Sequence, residues 1–229
     1  MRKVVLNDII QIISGGTPKT SINEYWNGDI GWLSINDFNN DLRKVYTSEK
    51  TITEKGLKES NTKILEVDDL IISARGTVGV LAQIGKPMAF NQSCFGLRGK
   101  KEIIDNTYLY YALKNYVSNI QKKGQGSVFN TINLDSFKLM EIDIEENLNI
   151  QMRIASVLAS FDDRIELNNR LNDNLFYKFY LTVHEHGEEP IAELGELLVL
   201  LGIIIKFFKQ RTNQTIKISQ FFTRRESNC

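Results

Sequence analysis

The chain has 229 residues, 42% hydrophobic and 24% charged, the proportions of an ordinary globular protein of one to two domains. Its 28 basic residues balance 28 acidic ones, so no global field advertises a polyanionic partner. Cys94 and Cys229, with His184 and His186, are too few and too scattered for a disulfide framework or a structural zinc site, and a reducing cytoplasm is the expected compartment.

Met1–Asp8 carries charge without a long apolar core, which argues against a secretory signal. Val4–Leu6 and Ile9–Ile13 read as short strands leading into the loop Ser14-Gly15-Gly16-Thr17-Pro18-Lys19-Thr20. Gly31–Ile35, Leu70–Ala74, Val80–Ile84 and Ser93–Arg98 read as further strands. Asp105 or Asn106 can cap a helix, with Leu109, Ala112, Leu113, Tyr116 and Ile120 at helical spacing. Lys122-Lys123-Gly124-Gln125-Gly126-Ser127 stops it. The expectation is an α/β (α+β) domain over residues 1–147.

The texture then changes. From Leu148 to Tyr180 there is no Gly or Pro, and one long helix is expected over 148–182. Leu158, Phe161, Ile165, Asn168, Asn172, Leu175 and Phe179 alternate at spacings of three and four, a coiled-coil-like seam that calls for a partner helix. Asn within such a seam costs stability but specifies register. The plainer alternative is a helix packed on its own domain. Residues 183–229 read as a linker and the truncated start of a second domain, because Glu193–Leu198 echoes Val5–Ile10. Leu197–Phe208 is apolar but well short of the roughly 20 residues a membrane span needs, so no membrane partner is expected.

No self-sufficient catalytic constellation emerges. Pro18 stands where a phosphate loop has the Gly before its Lys, removing an amide donor. Glu66, Asp68 and Asp69 are of the type that holds magnesium in a nuclease, but Asp68-Asp69 before a strand reads better as solvated charge at a strand entry. An Asn-Pro-Pro-Tyr-like methyltransferase turn and a dinucleotide Gly loop are both missing from the sequence. What remains is a set of polar and basic residues on loops: Lys19, Thr20, Arg75, Thr77, Asn91, Gln92, Lys122, Lys123 and Gln125, with Ser127 and Asn130 nearby. Arg and Lys read guanine, Asn and Gln read adenine, and hydroxyls hold phosphate; ordinary surface loops carry the same residues. Trp26 and Trp32 read as core rather than base-stacking groups.

Five stretches resemble, in order, the DNA-specificity subunit of type I restriction-modification systems. They are Ser14–Pro18, Tyr25–Ser34, Ile71–Gly79, Phe90–Cys94, and Gln151–Ala155 continued by Leu158, Phe161-Asp162 and Ile165. The resemblance implies a target recognition domain followed by a long spacer helix. A full subunit of that family has two such pairs, with the helices packed antiparallel and each domain reading half of a split DNA site. The subunit is non-catalytic: it directs methyltransferase subunits, which use S-adenosylmethionine to methylate adenine, and a restriction/motor subunit. S-adenosylmethionine, ATP and magnesium are then expected on those partners and no cofactor on this chain. The resemblance points to these loop regions, and side-chain chemistry makes Lys19, Thr20, Arg75, Thr77, Asn91, Gln92, Lys122, Lys123 and Gln125 the candidate DNA contacts. The seam is the candidate helix interface.

The chain departs from the pattern in holding one recognition domain, one helix and a stub, so residues 197–229 are expected to be a frameshifted or truncated second half. A homodimer through the seam would restore two recognition domains and predicts a palindromic split target. About 30 helical residues would hold the domains roughly 45 Å apart. Two alternatives stand beside this: an enzyme in its own right, and an inert truncated product acting only as a helical interaction protein.

Overall fold

The structure is a computed structural model that describes residues 1–40, 42–122 and 131–185. In chain order the strands and helices begin with β1 (Arg2–Val5), α1 (Leu6–Ile9), β2 (Ile10–Ser14), β3 (Trp26–Leu33), α2 (Ile35–Phe38), β4 (Lys44–Val45) and β5 (Lys50–Ile52). They continue with α3 (Glu54–Lys58), β6 (Ile64–Leu65), β7 (Leu70–Ser73), β8 (Leu81–Ile84), β9 (Met88–Phe90) and β10 (Cys94–Gly99). Then come α4 (Asn106–Lys122), α5 (Leu134–Leu139), β11 (Glu141–Ile144) and α6 (Leu148–Glu185). The chain divides into two compact units, 1–170 and 171–229; of the second, the described part is the C-terminal stretch of α6.

Unit 1 is built on two mixed sheets. One runs β2-β10-β7-β8-β4 and the other β5-β3-β9-β6, while β1 and β11 form a separate antiparallel pair. The first sheet is buried on both faces at its centre. Leu70 and Ile72 of β7 join a core with Leu109, Leu113 and Phe137. Ile71, between them, points the other way into a core with Leu33, Leu65 and Phe90. Side chains alternate along a strand, so a continuous apolar run is what a strand between two cores requires.

The strands legible in the sequence are present, with shifted ends. Leu6 opens the helical turn α1 instead of ending a strand. Strand β3 begins at Trp26, and Ile35 belongs to α2. The capping expectation resolves to Asp105, whose Oδ1 accepts the Tyr108 amide at 2.8 Å; Asn106 instead accepts from the Gly99 amide at 2.7 Å. Helix α6 starts at Leu148 as expected and reaches Glu185, past the expected end near residue 182.

Asp69 overturns the reading of a solvated acidic entry. It is 1% exposed, takes a two-pronged ion pair from Arg98, and accepts the Glu66 amide at 2.8 Å. A lone buried carboxylate is costly, and the guanidinium fork of Arg98 offsets that cost. Asp68 does fit a solvated role, half-exposed and paired with Lys44 at 3.0 Å. Trp32 is core, as expected. Half-buried Trp26 meets it edge-on, with ring centroids 5.2 Å apart.

Candidate nucleic-acid interface

Antiparallel pairing decides which loops meet. Ser14, the last residue of β2, stands opposite Phe95 near the start of β10. Cys94 stands opposite Ser73, the last residue of β7, and Ile72 opposite Leu81, the first of β8. The segments after β2, before β10 and between β7 and β8 therefore leave the sheet at one end. They carry Lys19 and Thr20, Asn91 and Gln92, and Arg75 and Thr77.

Close backbone packing holds these loops together. The Gly16 amide donates to the Phe90 carbonyl at 3.0 Å, and Trp32 Nε1 donates to the Gly16 carbonyl at 3.0 Å. A Cβ on Gly15 would lie 2.1 Å from the Asn91 carbonyl oxygen, and one on Gly16 2.4 Å from the Thr62 amide. Only residues without a side chain fit there, which explains the Gly-Gly pair. The Thr17 hydroxyl bonds the Gln92 side-chain carbonyl. Lys19 and Thr20 lie just beyond, exposed.

The second loop is held from within. The Ser73 hydroxyl donates to the Thr77 carbonyl at 2.5 Å and accepts the Val80 amide at 2.9 Å. Gly76 turns the chain at φ +75. Arg75 and Thr77 are left exposed. The Ala74 amide donates to the Ser93 carbonyl at 2.8 Å, tying this loop to the Asn91-Gln92 turn.

A third segment reaches the same place. The Ile132 amide donates to the Ala74 carbonyl at 3.0 Å, so the chain re-enters the fold beside Arg75. Lys122 is the last residue of α4. Its side chain lies outside the described residues, as do Lys123, Gln125, Ser127 and Asn130.

The candidates differ in how free they are. Asn91 is half-buried and its Oδ1 accepts the Ser93 amide at 3.0 Å, so its side chain already shapes a turn. Gln92 is exposed with its side-chain carbonyl already taken by the Thr17 hydroxyl, whereas Lys19, Thr20, Arg75 and Thr77 are exposed. Sequence reasoning missed Asn61 and Lys63, exposed on either side of buried Thr62. The Thr62 hydroxyl donates to the Phe90 carbonyl at 2.8 Å, which brings both neighbours to the glycine loop. It also missed Lys114, which lies with Thr77 along a cleft of about 280 Å³ between α4 and the Thr77–Leu81 segment.

Within unit 1, the first turns of helix α6 are held by the residues that carried the last part of the resemblance. Gln151 is fully buried; its Oε1 accepts the Asp105 amide at 2.9 Å, and its Nε2 donates to the carbonyls of Ile103 and Glu145 at 3.1 and 2.6 Å. Ala155 enters the core beside α4. Further along, Asp162 accepts from the Tyr111 hydroxyl at 2.7 Å, and Asp163 pairs with Arg43. Burial, and then the bond to Asp162, push the Tyr111 phenol up.

The seam faces elsewhere. Leu158, Phe161, Ile165, Asn168 and Leu175 are exposed and Asn172 is half-buried, while the Phe179 side chain lies outside the described residues. The helix thus packs on its own domain at its N-terminal turns, and its apolar seam is left uncovered within the chain's described residues. Among those residues no group of three or more potential ligands could hold a metal ion, and no helix is long and apolar enough to cross a membrane. The apolar run 197–208 and the histidine side chains lie outside them.

The family model for the type I restriction modification DNA specificity domain matches residues 1–176. The chain belongs to that family. It is 33% identical over 174 residues to the type I restriction enzyme MjaIX specificity subunit of Methanocaldococcus jannaschii. It is 31% identical over 176 residues to the EcoR124I/EcoR124II specificity subunit of Escherichia coli. Each alignment covers 74% of this chain but only 40% and 42% of those relatives, so the chain spans less than half their length.

Solved structures share the fold. The HsdS subunit from Thermoanaerobacter tengcongensis matches at a TM-score of 0.54 and 20% identity, over 74% of this chain and 39% of that one. The S subunit from M. genitalium matches at 0.58 and 14%, over 77% and 42%. The fold is therefore a mixed α/β domain with a long helix after it, as the motif order implied.

Proposed function

We propose that this chain is a non-catalytic, sequence-specific DNA-binding subunit of a type I restriction-modification complex. Residues 1–147 act as a target recognition domain and residues 148–182 as the spacer and dimerisation helix; the expected linker and second-domain start at 183–229 fall almost entirely outside the described residues. The observation that carries the reading is the convergence of Lys19, Thr20, Arg75, Thr77, Asn91 and Gln92 at one end of the first sheet, in a chain of this family. Lys19 and Arg75 hold phosphate, joined by Lys122 and Lys123. Thr77, Gln92 and Gln125 read base edges, and Asn91 chiefly shapes the turn that presents Gln92. Asn61 and Lys63 extend this surface.

The chain works as a homodimer of half-subunits in the cytoplasm. The exposed seam of α6 supports this, because apolar side chains at heptad-like spacing gain most by burial against a second helix. Two copies then present two recognition domains to double-stranded DNA and direct methyltransferase and restriction/motor subunits to a split target. S-adenosylmethionine, ATP and magnesium belong to those partners. The same seam would equally serve a chain that acts only as a helical interaction protein, so the test must separate the two.

Co-expression with the methyltransferase subunit in a methylation-free host, followed by genome-wide mapping of modified adenine, makes that separation. A palindromic split motif is expected. A non-palindromic motif would mean that a different specificity chain completes the complex. No new modification from a soluble complex would sink the DNA-reading role and leave the helical interaction protein.

A further inference from the structure

Arg43 is an unusual residue for the interior of this domain. It is 8% exposed, lies just before β4, and its Nη1 donates to Gln83 Oε1 of β8 at 2.7 Å. Gln83 is fully buried and bonds Thr107 of α4 at 3.0 Å. Nη2 of Arg43 reaches out to Asp163 of α6, while Nε is buried without a partner among the described residues. An arginine with one donor left unmet and its charge taken out of water is a poor way to stabilise a core. Its geometry does something else: it links two strands and α4 to the spacer helix. One residue earlier on α6, Asp162 takes the Tyr111 hydroxyl of α4.

Helix α6 is therefore held at two separate places. Gln151 and Ala155 anchor its first turns, and Asp162-Asp163 anchor it about 18 Å further along, counting 1.5 Å per residue from Gln151 to Asp163. One anchor makes a pivot; two fix a direction. A tilt of about 10° would carry a point some 30 Å along a helix sideways by about 5 Å. That exceeds the rise of one base pair, about 3.4 Å.

We propose that the Arg43–Asp163 and Tyr111–Asp162 contacts are a clamp that sets the direction in which the spacer helix leaves the recognition domain, and so restricts the split target to a single gap length. The proposal rests on the DNA-reading role for its consequence, but the clamp itself is a property of this chain. Arg43, Tyr111, Asp162 and Asp163 are positioning residues. They govern how far apart the half-sites lie and leave the bases read within each half unchanged.

Two measurements test it. In the full chain carrying Cys229→Ser, spin labels at Lys58→Cys and Leu167→Cys, diluted with unlabelled chain, report the domain-to-helix distance. A narrow distribution is expected with the clamp intact and a broad one in D163N and in Y111F. D163E, which restores the carboxylate, returns it toward narrow. Tyr111→Phe keeps the ring and decides the matter should D163N, which strands the buried Arg43, fail to fold. An unchanged distribution in folded variants overturns the clamp.

The adenine methylation map supplies the second readout. The variants should keep the half-site sequences of the parent chain but modify sites one base pair longer or shorter, with discrimination between gap lengths falling about tenfold, equivalent to ~1.4 kcal/mol. The parent's single gap at undiminished discrimination would overturn the proposal while the DNA-reading role stood. A parent chain that yields no motif overturns the DNA-reading role and with it the gap-length consequence; the distance distribution then decides the clamp alone.

Discussion

At the scale of single residues, the glycine loop and the buried polar groups set the terms. Replacing Gly15 by Ala forces a methyl against the Asn91 carbonyl, an overpacking that costs about 1–3 kcal/mol. The expected outcome is a lowered Tm together with weakened DNA binding, since the glycine loop and the Asn91 turn move apart. Gln151→Ala strands the Asp105 amide and two carbonyls, and a loss of about 3 kcal/mol is expected in urea unfolding. Cys94 offers a test by pH. Burial pushes its thiol from 9.0 up to about 12, so the folded state holds the proton more tightly than the unfolded one. That contribution is complete below pH 9 and is lost as pH climbs toward 12. Native protein should resist alkylation at Cys94 near pH 8 and yield to it in urea, as peptide mapping would show.

These residue roles were unevenly legible. The Gly-Gly pair was visible as a special backbone path, but only the approach of Asn91 and Thr62 explains it. Asp69 was misread because an Asp-Asp pair at a strand entry looks solvated. Its partner Arg98 lies 29 residues away in the chain, and nothing local signals the pairing. Asn61 and Lys63 sat in a polar stretch indistinguishable from any loop.

At the scale of elements, length and burial decided what the sequence displayed. Strand β7 was plain because both its faces are buried, and α6 because no breaker interrupts it. Strands β4 and β6 have two residues each, too few to show a period, and they form by pairing with β8 and β9. The start of β3 was hidden by Asn27-Gly28-Asp29, where Asn27 takes φ 62 and the register with β5 shifts, a bulge written in turn-forming residues. Strand β11 did carry a signal, since Glu141–Ile144 alternates exposed and buried. The α6 seam yields a prediction at this scale. Phe161→Glu with Leu175→Glu places charge on the exposed stripe and should convert a dimer to a monomer in sedimentation velocity, with the melting of the sheet domain unchanged. A monomeric parent chain would count against pairing through this seam.

For the whole molecule, a neutral total charge means that the proposed DNA affinity must come from a local patch. Removing Lys19 and Arg75 by alanine should each lower the salt dependence of binding by about one counterion, measured on the assembled complex by titration at several salt concentrations. An unchanged slope would remove that residue from the phosphate contacts.

The sequence by itself determined the sheet-and-helix domain, the long helix after it and the family, because motif order and uninterrupted helical spacing are local properties of the chain. Only the tertiary structure decided which loops share a surface and where helix α6 is held. Antiparallel pairing brings Ser14, Ser73 and Cys94 to one end of a sheet from far apart in the chain, and Arg43 meets Asp163 across 120 residues. Such meetings depend on register and burial summed over the whole fold, and no short stretch of sequence contains them.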